Sequence, residues 1–263
     1  SKFMAITGVC FLLATIPMLI GLLVQVLRGF YDFKLQFYLV DLYLITFWDY
    51  FQMALLAYFV HALVNNKFVG HFVGMAIWII MFVLRNFLNF DYNLFFYSYK
   101  PGYLISDMND FGHFAQPLFW FNLYWTSFGL ILLLFAALLW PRGSENTLRR
   151  RLADFRQAWN WRTSSGFVVL LLIWLGSAAF VYHNVSGVNH YRTSKEGKTW
   201  SAHYEKRYKK YERIPQPKVT GIKVFADVYP QNRSIAVRAV LKVQNKSGQA
   251  IDSLHLLSND GQQ

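Results

Sequence analysis

PRGSENTLRRRLADFRQAWNWRTSSGFVVLLLIWLGSAAFVYHNV, residues Pro141–Val185, is the stretch that decides the fold. Its first part holds Arg142, Arg149, Arg150, Arg151, Arg156 and Arg162 against only Glu145 and Asp154. Its second part, from Gly166, runs about 20 residues without a charge, enough to cross a hydrocarbon core of ~30 Å as a helix. Short loops dense in Arg and Lys stay on the cytoplasmic side of a membrane. The arginines therefore act as topology determinants. They place 141–165 in the cytoplasm and 186–263 outside it.

Composition agrees with a membrane protein. Of 263 residues, 55% are hydrophobic, 19% aromatic and only 15% charged, too apolar for an ordinary water-soluble domain. Charge is unevenly placed: residues 1–140 carry six basic and six acidic side chains, whereas 184–263 carry 14 against 6. A basic surplus can signal nucleic acid. Here the first block is membrane and topology explains the rest, so the expected partner is the lipid bilayer and not nucleic acid. The single cysteine, Cys10, lies in an apolar run and cannot build a disulfide or a zinc framework. No signal peptide is read at the start, because the first apolar run is too long and lacks a cleavage-like end. Both ends read as cut, so the chain is expected to be an internal piece of a longer protein.

Working outward, further apolar runs predict spans at about 3–27, 42–64, 68–88 and 117–140, and the stretch above supplies the last at 166–185. Pro17 and Gly21 fall inside the first, where a bilayer makes a kinked helix a better outcome than a broken one. Counting sides back from the basic loop places 89–116 and 28–41 outside, with few positive charges, and the Asn65–Lys67 turn inside.

Several polar groups interrupt the spans. Asp49 and Gln52, three residues apart, share a helical face, and Arg85 stands near the end of the third span. An ionisable residue in a span is costly and usually faces a cavity or a partner. Asp49, Gln52 and Arg85 thus read either as a polar substrate path with a proton-linked step, or as an interfacial Asp49 that is hydrated or paired with Arg85. His61 and His71 flank the cytoplasmic turn as metal or haem ligands, or as interfacial histidines in water. Asn122, Thr126 and Ser127 in the fourth span read as groups that hold helices together. Catalytic motifs of the HExxH, GxSxG and GxxxxGK[ST] types do not occur, and no catalytic residue is assigned.

After the last span the pattern changes. Residues 186–217 read as a polar linker and a juxtamembrane helix, with Trp200, Tyr204, Tyr208 and Tyr211 on one face, Glu205 and Lys209 spaced for an ion pair, and Pro215–Pro217 as the stop. From 218 to 263 the period falls to two. Ile222, Val224, Ala226 and Val228 alternate with Lys223, Phe225, Asp227 and Tyr229, and a second run holds Ile235, Val237, Ala239, Leu241 and Val243 on one side. With PQNR and NKSGQ as turns, this predicts an incomplete three-stranded antiparallel meander. The expected fold class is an α-helical multispanning membrane domain of about five transmembrane helices (1–185), followed by the start of an antiparallel all-β domain.

The junction HYEKRYKKYERIPQPKVTGIKVFADVYPQNRSIAVRAVLKVQNKSGQAIDSLHLL resembles the opening of the aminopeptidase-N-like zinc metallopeptidases. The residues that carry the likeness are Asp227–Ile235, Asn245–Ser247 and Ile251–Leu256. The preceding YEKRYKKYERIPQPKV resembles a bacterial subgroup in which such a peptidase is fused behind an ABC-2-type export permease. The first 183 residues agree with that arrangement in hydropathy. The resemblance implies a bacterial inner-membrane location, a separate ATP-binding-cassette ATPase subunit, and a downstream zinc-dependent peptidase whose ligands and base lie beyond Gln263. A second copy of the chain is a further candidate partner. The function expected is a permease segment of an exporter joined to an extracytoplasmic aminopeptidase-like domain. The alternative is a membrane anchor or sensor that holds an external domain without transport.

Overall fold

A computed structural model of the protein describes residues 2–64, 66–88, 90, 92–106, 108–140, 148–189, 191–212, 214–232, 234–252 and 254. The chain divides into two units, 1–194 and 195–263.

The first unit is helical. Helix α1 (Lys2–Leu27) continues unbroken past Pro17. A short α2 (Leu35–Leu39) runs through a π-helical segment, Val40–Thr46, into α3 (Phe47–Leu63). Helix α4 (Lys67–Asn86) follows, capped by the Asn66 side chain, which accepts from the Phe68 and Val69 N–H groups. Then come α5 (Ala115–Leu139), α6 (Leu148–Ala158) and α7 (Trp161–Tyr182), the last prolonged by a π turn at His183–Val188. Asn160 and Thr163 form a reciprocal capping box that starts α7 five residues before the apolar run begins.

Among the described residues, five helical stretches are long and apolar enough to cross a membrane: Phe3–Leu27, Leu35–Leu63, Lys67–Asn86, Gly112–Leu139 and Trp161–Val188. They match the predicted spans in number and order but not at every boundary. The second begins at Leu35, seven residues before the expected 42, because LQFYLVD is apolar enough to join the helix. The basic loop contains α6. Arg142 lies outside the described residues.

Helix α5 is the centre. It packs between α3 and α7, while α1 and α4 lean on α3. Gly129 lets α3 and the 87–114 connection lie close against α5: a Cβ there would stand 2.7 Å from both Leu55 Cδ1 and the Tyr97 hydroxyl. The core gathers Tyr97, Phe121, Tyr124, Trp125 and Val181, with Trp174 stacked on Tyr124 at 5.8 Å between ring centroids. The outward faces are the reverse of a soluble protein's. Leu19, Leu23, Phe72 and Ile80 are all more than half exposed. Apolar surface on that scale needs a covering, and a bilayer is compatible with it.

The 87–114 connection is not a free loop. Tyr124 Oη donates to the Leu94 carbonyl (3.1 Å) and Trp125 Nε1 to the Tyr99 carbonyl (2.8 Å). Tyr97 Oη reaches down to the Gln52 carbonyl at 2.7 Å. Phe96 is 2% exposed. A polar connection over an apolar bundle must satisfy its own backbone, and here the aromatic side chains of α5 do part of that. A turn at Phe96–Tyr99 carries Ser98 at φ 64°, a left-handed position a side chain rarely takes, and so presents Tyr97 and Lys100 to the bundle.

In the second unit, α8 (Ser194–Tyr208) and a 3₁₀ turn (Lys209–Tyr211) precede a hairpin of β1 (Lys218–Tyr229) and β2 (Ser234–Gln244). The helix starts six residues before the Trp200 at which the sequence pattern opens. The hairpin register puts Ile222 opposite Leu241, Val224 opposite Ala239, Ala226 opposite Val237 and Val228 opposite Ile235. One face is therefore wholly apolar, as the alternation predicts, and both strands are exposed. On the other face the Arg238 guanidinium stands 5.3 Å from the Phe225 ring centroid. The third strand expected over IDSLHLL does not form at Ile251, Asp252 or Leu254, and its other residues lie outside those described. What is seen is a two-stranded sheet.

Candidate functional site

The polar groups of the first unit converge where α3, α5 and the 87–114 connection meet. Lys100 is the centre of that cluster. Its Nζ lies 2.7 Å from Asp49 Oδ1 and donates to the Ile45 carbonyl (3.0 Å) and to Asn122 Oδ1 (3.4 Å). Of the three N–H donors of the ammonium, two are taken by these oxygens, and Asp49 is held by charge at short range. Its side chain is 11% exposed against 39% for Asp49. Ile45 belongs to the π-helical segment, where hydrogen bonds span five residues instead of four and backbone carbonyls turn toward neighbours.

One turn along α3, Gln52 is 1% exposed and donates to Thr126 Oγ1 (2.9 Å) and to the Asn122 carbonyl (3.4 Å). Asp49 and Gln52 thus share a face, as their spacing predicts, and that face meets α5. Asn122 and Thr126 do bind helices together. Ser127 does not, since its hydroxyl donates to the Tyr124 carbonyl of its own helix at 2.9 Å.

Arg85 goes elsewhere. Its Nη1 donates to Asn93 Oδ1 at 2.7 Å, and the guanidinium stacks 4.4 Å from the Tyr99 ring centroid. Of the readings open for Asp49, the pairing with Arg85 does not form; its partner is Lys100. Consecutive residues of the connection, Tyr99 and Lys100, receive α4 and α3 respectively. Sequence reasoning missed Lys100 as a partner, although a lone cation in DYNLFFYSYKPGYL was the signal that could have found it.

Nearby, Tyr103 Oη donates to Asp41 Oδ1 at 2.6 Å. Burial pushes the Tyr103 phenol well above the usual tyrosine range, and the Asp41 carboxylate it donates to adds to the shift. Burial does the same to Tyr97.

Beside the cluster lies a half-open cavity of about 450 Å³ between residues 40–48 and the first half of α5. Leu44, Trp48, Phe111 and Phe119 make its apolar walls, and Asn122 and Thr126 are its polar part. It can take an apolar or amphiphilic molecule, with those two side chains as the contacts for a polar group.

At the other end of the bundle, His61 and His71 meet with ring centroids 4.6 Å apart, fitted around Gly70, where any Cβ would collide with the His61 ring. Among the described residues no three His, Cys, Asp or Glu side chains come together. Two imidazoles alone fall short of the four ligands of a structural zinc site. Cys10 is buried and unbridged. In the second unit the aromatic stripe is real: Trp200, Tyr204, Tyr208 and Tyr211 follow one another at 5.6, 4.7 and 6.4 Å between centroids. Lys209 and Glu205 pair at 3.3 Å.

Compared with known proteins, the chain matches no family model, no curated protein and no solved structure.

Proposed function

We propose that residues 1–188 form the membrane-embedded permease segment of an ABC-2-type exporter, with 141–165 on the cytoplasmic side and 194–263 opening an extracytoplasmic aminopeptidase-like domain. The observation that carries the reading is the cavity between residues 40–48 and α5, apolar on most of its wall and polar at Asn122 and Thr126. A permease for an amphiphilic substrate needs such a place part-way along its helices. The Asp49–Lys100 pair beside it would set the depth to which a polar group can sink. Zinc belongs, in this reading, to the downstream peptidase. His61 and His71 do not fit a zinc centre, and no step is assigned to a metal here.

A second reading, an anchor without transport, is favoured by one observation: Lys100 is tied to the protein by an ion pair with Asp49 and hydrogen bonds to the Ile45 carbonyl and Asn122 Oδ1. A satisfied pair of that kind holds a connection to a bundle and moves nothing.

Purification of the full-length protein from its native membranes in a mild detergent separates the two. A co-purifying ATPase whose hydrolysis rate changes with Leu44→Trp, which fills the cavity, is the outcome expected of a permease. Isolation without any ATPase would leave the anchor. A reporter fused after Tyr191 should be active only outside the cytoplasm, and the opposite result would overturn the orientation.

A further inference from the structure

Helix α6 carries an exposed arginine, Arg156, that neither the bundle nor the cavity uses. At the helical period, Phe155 and Trp159 share one face, with Arg156 at its edge. Phe155 and Trp159 hold that face to the bundle: both stack on Phe135 of α5, at 6.2 and 6.3 Å, and Trp159 meets Phe167 of α7 at 5.8 Å. The helix is thus fixed at the very level where the apolar stretches of α5 and α7 end. Trp161, 83% exposed, stands beside it. Arg156 and Arg162 are exposed and make no ion pair among the described residues.

We infer that α6 lies in the plane of the membrane surface and, with Arg162, binds the phosphate groups of anionic phospholipids. Three features argue for lipid over another acidic partner. An exposed arginine, Arg156, borders an apolar stripe, the arrangement of an interfacial helix whose long side chains reach up to headgroups. The stripe is tied to the sides of two spanning helices. Exposed tryptophan beside it marks the headgroup level. Guanidinium groups pair with phosphate oxygens through two parallel N–H donors. The inference rests on the reading that the apolar helices span a bilayer.

The test uses the full chain, reconstituted in nanodiscs of mixed phosphatidylcholine and phosphatidylglycerol, then extracted and weighed by native mass spectrometry. Retained phosphatidylglycerol should exceed phosphatidylcholine. In an Arg156→Gln/Arg162→Gln chain, which keeps Arg149–Arg151 for topology, that preference should fall about fivefold for each arginine removed. Unchanged preference in the variant, or none in the wild type, overturns the proposal. So does equal protection against thermal unfolding by inorganic phosphate alone, or an acidic protein that the wild type captures and the variant does not. A chain that fails to enter discs at all would instead remove the membrane reading.

Discussion

Lys100 meets Asp49 at 2.7 Å from a connection that lies outside every apolar helix. The pair therefore ties a segment of the chain to the bundle rather than one spanning helix to another. It stands beside the polar wall of the cavity, where Asn122 serves both.

Removing one partner should hurt more than removing both. Lys100→Met leaves a half-covered carboxylate without its counter-charge, and should lower stability by about 2–3 kcal/mol, less than for a fully buried pair because Asp49 is partly exposed. Lys100→Met with Asp49→Asn should recover part of that. Thermal unfolding in detergent measures both, and a double variant no more stable than the single one would reject the pairing as the cause.

Gly129 is a position without slack. Gly129→Ala should cost about 1–3 kcal/mol by forcing apart Leu55 and Tyr97, and Leu55→Ala should relieve it in the double variant. Absence of any such coupling would mean that α3 and α5 do not approach as closely as described.

Alkaline titration has a defined sign. Tyr97 and Tyr103 are held neutral above the ordinary tyrosine value. Their contribution to stability is full below about pH 10, where the unfolded phenols begin to ionise, and is lost as pH rises toward the folded-state values. Ultraviolet titration of the folded chain should show tyrosines that resist ionisation in that window, fewer of them in Tyr103→Phe. Free titration of all the tyrosines at ordinary values would contradict the docked connection.

Residues 214–244 as a separate peptide should show little strand by circular dichroism in water. Two strands with one apolar face uncovered cannot bury enough to persist. A stable hairpin in isolation would reverse that expectation.

The spans were legible because twenty apolar residues leave the backbone few options, and the hairpin because Ile222–Val228 and Ile235–Val243 alternate about one short turn. Register followed from the pattern. Partners did not. Asp49 and Arg85 looked complementary along the chain, but which cation reaches Asp49 depends on how 87–114 folds back, and no periodicity encodes that. Helix α6 carried its own signal in Leu148, Leu152, Phe155 and Trp159, hidden under the density of arginines that fixed attention on topology. The cavity was illegible altogether, since its walls come from residues more than sixty positions apart.

The π-helical segment has a consequence for chain length. Each of its hydrogen-bonded loops holds one residue more than an α turn. Deleting a single residue between Val40 and Thr46 would let the segment relax to α geometry and leave Phe47–Leu63 where it is. Because the residue removed is the extra one, the helix before and after it would stay nearly in register. The stretch is thus a place where the chain can lose a residue and keep both its helix and the direction in which α2 enters α3.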